Sequence, residues 1–299
     1  NNSNQANSTN MSFQIDFDNE LAAVVFDEVH YINDEHRGQV WEKCIMMLPE
    51  HVQKIMLSAT IDNPKRFAEW CESIYPESKR IVYLSTTKTR VVPLSHYCFM
   101  VVGDANSKKI KNKEIQKFIR THTHTLIQIQ NDKGAFDSTN SGYNTIMALQ
   151  KYIREFRFVI SRKFVLNQLA SFLKENSMLP AIVFVFSRKK VESYARDITV
   201  PLLEDDSKQP YVVQRECDAI IRKLPNGSEY LQLPEYIELV KLLEKGIAIH
   251  HSGMIPILRE IVELCISKKY VKLLFATESF AVGLDCPIKT VVFSSLTKF

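Results

Sequence analysis

The stretch Val24–Asp34, VVFDEVHYIND, sets a run of β-branched and aromatic residues directly against two carboxylates. Unbroken apolarity over so short a run reads as a parallel strand covered on both faces. Such a strand does not end on Asp27 and Glu28 unless those charges meet a metal or a polar ligand at its edge. In open α/β sheets ligands bind beyond the carboxyl ends of the strands, which is where both acids stand. Adjacent acids on an extended chain point to opposite sides, so one can hold a metal ion while the other faces a reacting water. An Asp-Glu pair is weakly specific by itself. A second apolar run, Lys54–Leu57, ends on Ser58-Ala59-Thr60, whose hydroxyls can hydrogen-bond acids at a neighbouring strand edge. Alone, Ser58-Ala59-Thr60 fits a helix-capping turn equally well. That account does not cover both strand ends together.

Working outward, apolar segments predict strands at Ala22–Phe26, Lys54–Leu57, Ala181–Phe186, Val271–Phe275 and Thr290–Phe293. Helical patterns lie between them at Arg37–Leu48, Asn63–Ile74, Arg188–Ile198, Tyr236–Lys245 and Ile257–Ser267. This alternation predicts an α/β fold with parallel sheets. The strands form two groups, one within residues 20–100 and one within 161–299. Ahead of them lies a low-complexity polar tract, 1–19, and between them a basic polar connector, 101–160, with room for short strands.

At 299 residues, 45% hydrophobic and 24% charged, the composition is that of a globular chain long enough for two domains. No apolar run reaches the roughly 18 to 20 residues of a membrane span, and NNSNQANSTN has neither the basic start nor the apolar core of a signal peptide, so the expected location is intracellular. Six cysteines without a C-x-x-C pair argue against a zinc site or a disulfide framework and read as buried free thiols. The net charge of +4 permits nucleic acid without requiring it. Its distribution is uneven: Lys108, Lys109, Lys111, Lys113, Lys117 and Arg120 face a single acid, Glu114, a pattern that fits either a solvated helix face or a phosphate-contacting surface.

Asp27-Glu28-Val29-His30 followed by Ser58-Ala59-Thr60 resembles the second and third motifs of superfamily-two DExH-box helicases. The text between and after them, HYINDEHRGQVWE (His30–Glu42), LPEHVQKIMLSATIDN (Leu48–Asn63) and FAEW (Phe67–Trp70), is similar to the superkiller, exosome-associated group of RNA helicases. RVVPLSHY (Arg90–Tyr97), PAIVFVFSRKKVE (Pro180–Glu192), GIAIHHSGMIPILREIVE (Gly246–Glu263) and KLLFATESFAVGLDCPIKTVVF (Lys272–Phe293) follow in the same order. The resemblance implies two RecA-like parallel-sheet domains in tandem, ATP and Mg²⁺ as cofactors, single-stranded RNA as partner, and service to an exosome-like or other RNA-processing assembly. It assigns Asp27 to Mg²⁺, Glu28 to the attacking water, His30 to the link between nucleotide site and second domain, and Ser58 and Thr60 to coupling. It puts Ser187, Ser252, Gly253 and Thr277 along the nucleic-acid backbone, and Gly283 and Asp285 at the interdomain ATP cleft.

Two parts of such an engine are not found. None of the eight glycines belongs to a G-x-x-x-x-G-K-[ST] phosphate loop, and no Q-x-x-G-R-x-G-R follows Val292-Phe293. The sequence therefore reads as the middle of a helicase core with both domains incomplete, and no hydrolysis is expected of these residues alone. Asp285-Cys286 also replaces the Asn-Met pair of the exosome-associated members, which loosens the subgroup assignment. The competing readings are a repair-type DNA helicase, disfavoured by R-G-x-V-W-E at Arg37–Glu42, and a non-catalytic RNA- or partner-binding module. Adjacent His250 and His251 do not share a face and have no third ligand at metal spacing, so a metal pair is rejected. His96, His122 and His124 read as surface or packing residues, and Trp41 and Tyr194 as core.

Overall fold

The computed structural model describes residues 16–35, 37–77, 81–87, 90–136, 138–203, 208–281 and 286–297. The chain divides into two compact units, Asn1–Arg90 and Val91–Phe299.

In the first unit, strand β1 (Ala23–Phe26) runs into a 3₁₀ turn (Val29–Asn33), helix α1 (Gly38–Met47), strand β2 (Gln53–Met56) and helix α2 (Pro64–Ser73). β1 and β2 are parallel, with Ala23 opposite Gln53 and Phe26 opposite Met56. Helix α2 starts where the sequence provides for it: Pro64 is its first residue, and the Asn63 side chain accepts from the Arg66 N–H. Phe26, Val29 and Ile45 form a small core, with Trp41, Met56, Phe67 and Trp70 packed against it. The expectation of a sheet covered on both faces is corrected here. Val25 and Ile55, opposite each other in register, are 58% and 40% exposed, because both helices pack against the other face and nothing covers this one among the described residues.

The second unit has two layers of organisation. Strands β3 (His96–Phe99) and β4 (Leu126–Gln130) form an antiparallel pair carrying helices α3 (Asp104–Ser107), α4 (Lys113–His122) and α5 (Ser141–Glu155). The segment read as a basic connector is thus about half helical, with its own core of Val102, Ile110, Ile119, Ile127 and Leu149. It contacts helix α6 (Arg162–Glu175) through aromatic rings, Phe99 against Phe172 at 5.0 Å and His124 edge-on to Phe164 at 6.4 Å.

Beyond α6 lies an α/β sheet. Strand β5 (Ala181–Phe184) leads through α7 (Arg188–Asp197), α8 (Gln209–Ile221), α9 (Gly227–Tyr230) and α10 (Pro234–Leu243) to β6 (Ile247–His250). Helix α11 (Pro256–Ser267), β7 (Leu273–Ala276) and β8 (Thr290–Phe293) follow. All four strands are parallel, in the order β6-β7-β5-β8. Here the expected two-sided burial holds for β5, β6 and β7 but not for edge strand β8, where Val291 and Phe293 are exposed. All of β7 is buried, and hydrophobic clusters pack on both sides of the sheet: one holds α8, α10 and α11, the other α6 and α7. Of the six cysteines read as buried thiols, only Cys217 and Cys265 are buried; Cys44 is exposed and Cys71, Cys98 and Cys286 are half-buried.

Candidate nucleotide and nucleic-acid sites

Parallel pairing of β1 with β2 puts their carboxyl ends level. The ladder continues past the strands, Leu57 N–H donating to Phe26 O (2.8 Å) and Val29 N–H to Leu57 O (2.9 Å), so Asp27-Glu28 and Ser58 leave the sheet side by side. Asp27 Oδ1 accepts from the Glu28 N–H at 2.9 Å. Glu28 takes left-handed backbone angles, φ 54° and ψ 44°. For a side-chain-bearing residue that costs about 1 to 2 kcal/mol, offset in part by the Tyr31 N–H bonding to Glu28 O at 3.1 Å. The turn brings His30 Nδ1 to 3.1 Å from Glu28 Oε2 and 3.3 Å from Ser58 Oγ. Ser58 Oγ donates its one proton to Thr60 O at 2.9 Å. It can therefore only accept from His30, and the Glu28 carboxylate can only accept as well, which assigns the proton to Nδ1. Glu28 thus sits in close polar contact with His30, which is hydrogen-bonded to Ser58 and through it tied to the backbone of Thr60.

Asp27 is exposed, and its Oδ2 has no partner among the described residues. One free hard oxygen donor suits Mg²⁺, which binds through one or two carboxylates plus waters and phosphate oxygens. Among the described residues no group of three His, Cys, Asp or Glu side chains is placed to cage a metal.

In the second unit the candidate backbone-gripping residues follow three adjacent strands: Ser187 after β5, Ser252 and Gly253 after β6, and Thr277 after β7. The first two lie together, since a Cβ on Gly253 would stand 3.2 Å from Arg188 Cδ. The Thr277 N–H reaches His250 O at 3.2 Å. Thr277 is buried and its hydroxyl is engaged with Ser279 at 2.9 Å, so a ligand there meets the pair rather than a free hydroxyl. Gly283 and Asp285 lie outside the described residues.

The buried histidines hold this edge in shape. His250 Nε2 lies 2.9 Å from Glu263 Oε1. His251 Nδ1 accepts from the Gly253 N–H at 3.2 Å, and its Nε2 stands 3.4 Å from Glu192 Oε1. Burial pushes the His251 imidazole below its ordinary value, with Glu192 partly countering. A neutral ring with its proton on Nε2 fits both neighbours. Trp41 packs against Phe26 at 6.0 Å, and Tyr194 lies half-buried under the Arg162 guanidinium at 4.6 Å.

Residues 9–67 match the DEAD/DEAH box helicase family model. Over 294 residues the chain is 37% identical to human superkiller complex protein 2, covering 93% of this chain and 22% of that protein. The chain belongs to the DEAD/DEAH-box helicase family. It is also 34% identical over 280 residues to the human exosome RNA helicase MTR4, covering 94% of this chain and 25% of the relative. To the Saccharomyces cerevisiae antiviral helicase SKI2 it is 33% identical over 317 residues, 92% of this chain and 24% of that one. The chain thus spans about a quarter of the length of the curated relatives it matches.

Two helicase-edge residues were not singled out from the sequence. Arg188 and His251 shape the loop around Gly253, and only the spacing of His251 from the Gly253 N–H, two residues on as in an Asx turn, hints at it in the sequence. A third, Gly38, has a steric reason. It is buried at the start of α1, and a Cβ there would lie 2.2 Å from the carbonyl oxygen of Ile32, inside the turn that carries His30. Gly38→Ala is expected to lower stability by about 2 kcal/mol, in the range of overpacked sites. Thermal unfolding checks this, and an unchanged melting temperature would mean that α1 does not abut the turn this closely.

Proposed function

We propose that this chain supplies the nucleotide- and RNA-handling core of an ATP-dependent RNA helicase acting in RNA decay or processing, alongside an exosome-like assembly. Supporting it is one observation above the others: His30 bridges two adjacent strand ends, its Nδ1 3.1 Å from Glu28 Oε2 and hydrogen-bonded to Ser58 Oγ, in a sequence 37% identical to a superkiller complex protein. In this reading the first, ATP-binding RecA-like domain lies within residues 20–100, less the last ten, which pair through β3 into the second unit, and 161–299 belong to the second domain.

Mg-ATP, when bound, would supply the phosphoanhydride to be cleaved and a cation to offset its charge. Asp27 would hold that cation with its free carboxylate oxygen. Glu28 orients the attacking water and accepts its proton. His30 stands against Glu28 at 3.1 Å and hydrogen-bonds Ser58, so a change at the carboxylate reaches the Ser58–Thr60 segment through the imidazole. Ser187, Ser252, Gly253 and Thr277 grip the RNA backbone without reading bases.

The test is phosphate release and strand separation by the full-length natural polypeptide, with RNA, with DNA and with neither. Turnover stimulated by RNA supports the reading; equal or better stimulation by DNA favours a repair-type enzyme, and none with either sinks the motor. Ser58→Ala divides the roles further. It is expected to keep most RNA-stimulated turnover and lose most unwinding, because it breaks the relay from His30 to Thr60 without touching Asp27 or Glu28. An equal fall in both activities would remove Ser58 from coupling.

A further inference from the structure

The basic segment has no part in the site described above, and the structure makes its arrangement explicit. Within α4, Ile115, Phe118 and Ile119 face the core of the β3–β4 layer. Lys113, Lys117 and Arg120 recur at i, i+4 and i+7, on the opposite face, and all three are exposed. Lys108, Lys109 and Lys111, also exposed, extend this ridge just ahead of the helix. Residues 91–160 hold ten lysines and arginines against five aspartates and glutamates, a formal +5 in a chain whose total is +4. The remainder of the chain is therefore close to neutral.

What separates the ridge from an ordinary solvated helix face is its density: six exposed cations in residues 108–120 against one acid, Glu114. Four cations elsewhere are neutralised, Arg37 by Asp34, Arg162 by Asp197, Arg196 by Glu192 and Glu238, Lys268 by Glu216, while scattered ones such as Lys43 and Lys65 are unpaired among the described residues. None of the six ridge cations has a carboxylate partner among the described residues. Lys111 and Lys113 flank the start of α4, the positive end of the helix dipole, where a cation is disfavoured by about 0.3 to 1 kcal/mol, whereas Arg120 lies in its favourable last turn. The dipole gives no reason for Lys111 and Lys113; a polyanion does. Lys113 and Lys117 are separated by roughly 6 Å along the helix axis, close to the step between successive phosphates of an extended strand.

We propose that the α4 ridge is a second, sequence-independent docking surface for the RNA backbone, separate from the strand-end grip. The inference rests on the RNA-helicase reading above. It predicts counterion release on binding, with about 0.7 in the log-log salt slope for each phosphate contacted by single-stranded RNA.

The experiment titrates the full-length natural polypeptide into a fluorescein-labelled polyuridine oligonucleotide between about 50 and 200 mM salt. The variant Lys113→Gln/Lys117→Gln/Arg120→Gln is compared with Lys43→Gln/Lys65→Gln/Lys245→Gln, which removes the same charge from exposed positions elsewhere. The ridge variant is expected to lower the slope by about 2, so that its affinity deficit is roughly 20-fold greater at low salt than at high salt. The control should keep the wild-type slope, and both should keep ATP turnover at saturating RNA. An equal fall in the control overturns the proposal in favour of net charge. An unchanged slope in the ridge variant, with RNA-stimulated turnover intact, also overturns it and leaves the ridge to an acidic protein partner. A wild-type protein that neither binds RNA nor responds to it fails the underlying reading instead.

Discussion

Glu28→Gln is expected to cut RNA-stimulated ATP turnover by about 10² to 10⁴-fold, the range for loss of a general base, while nucleotide binding and the fold persist. Glutamine is isosteric, and its carbonyl oxygen can still accept from His30 Nδ1 at the position now held by Glu28 Oε2, 3.1 Å away. Both residues meet the same left-handed backbone at φ 54°, so the substitution adds no new strain. What disappears is the capacity to take a proton. The separation from Asp27 is sharp: Asp27→Asn is expected to raise the KM for Mg-ATP as well as lower kcat, since it weakens the cation's anchor. Phosphate release at saturating RNA, together with binding of a fluorescent nucleotide analogue, reads both effects in the full-length polypeptide. Turnover of Glu28→Gln within a small factor of wild type would assign the base to another residue.

That prediction was largely legible in the sequence, and the reason is geometric. Val24–Phe26 and Lys54–Leu57 are short unbroken apolar runs, and parallel pairing of two such runs levels their ends. The carboxylates ending one and the hydroxyls ending the other then lie side by side, but the expected direct bond between them is replaced by His30, 3.1 Å from Glu28 and 3.3 Å from Ser58. The left-handed turn at Glu28 was not legible, because no glycine or asparagine marks it. Strand β6 was missed for a related reason: Ile247–His250 ends in a histidine that reads as polar, and it is buried only because Glu263 reaches it from α11, thirteen residues on. The β3–β4 layer was read as a connector because its lysines cluster at 108–117 and its loops at 131–142 are polar, which hides apolar residues spread thinly between them. Its fold depends on a few at helical spacing, Ile115, Phe118 and Ile119, closing on Leu149 of α5. The exposed face of Val25 and Ile55 shows the opposite limit, since apolarity reports what a residue prefers and not what covers it.

Phe275→Ala is expected to destabilise the second unit by about 3 to 5 kcal/mol, as for fully buried aromatic side chains. Phe275 has no exposed surface and lies mid-way along β7, the strand flanked by β5 and β6, level with Val183 on one side and Ile249 on the other. Its ring packs among Leu166, Val185, Val191 and Leu242, drawn from α6, α7, α10 and the end of β5, so no single neighbour can relax to fill the void. For a unit of this size the loss corresponds to a fall in melting temperature of about 10 °C. Val159→Ala, at a side chain 90% exposed, is the matched deletion and should stay within about 0.5 kcal/mol. Denaturant unfolding with an unchanged slope and a lowered midpoint would show that stability alone had moved; a Phe275→Ala cost no larger than that of Val159→Ala would mean that β7 is not the centre of this core. Because β7 ends at Ala276 and the next N–H, that of Thr277, bonds to His250 O, the same cavity loosens the strand ends that carry Ser252, Gly253 and Thr277. RNA affinity in Phe275→Ala should therefore fall on warming before the unit melts, whereas Glu28→Gln should leave it unchanged.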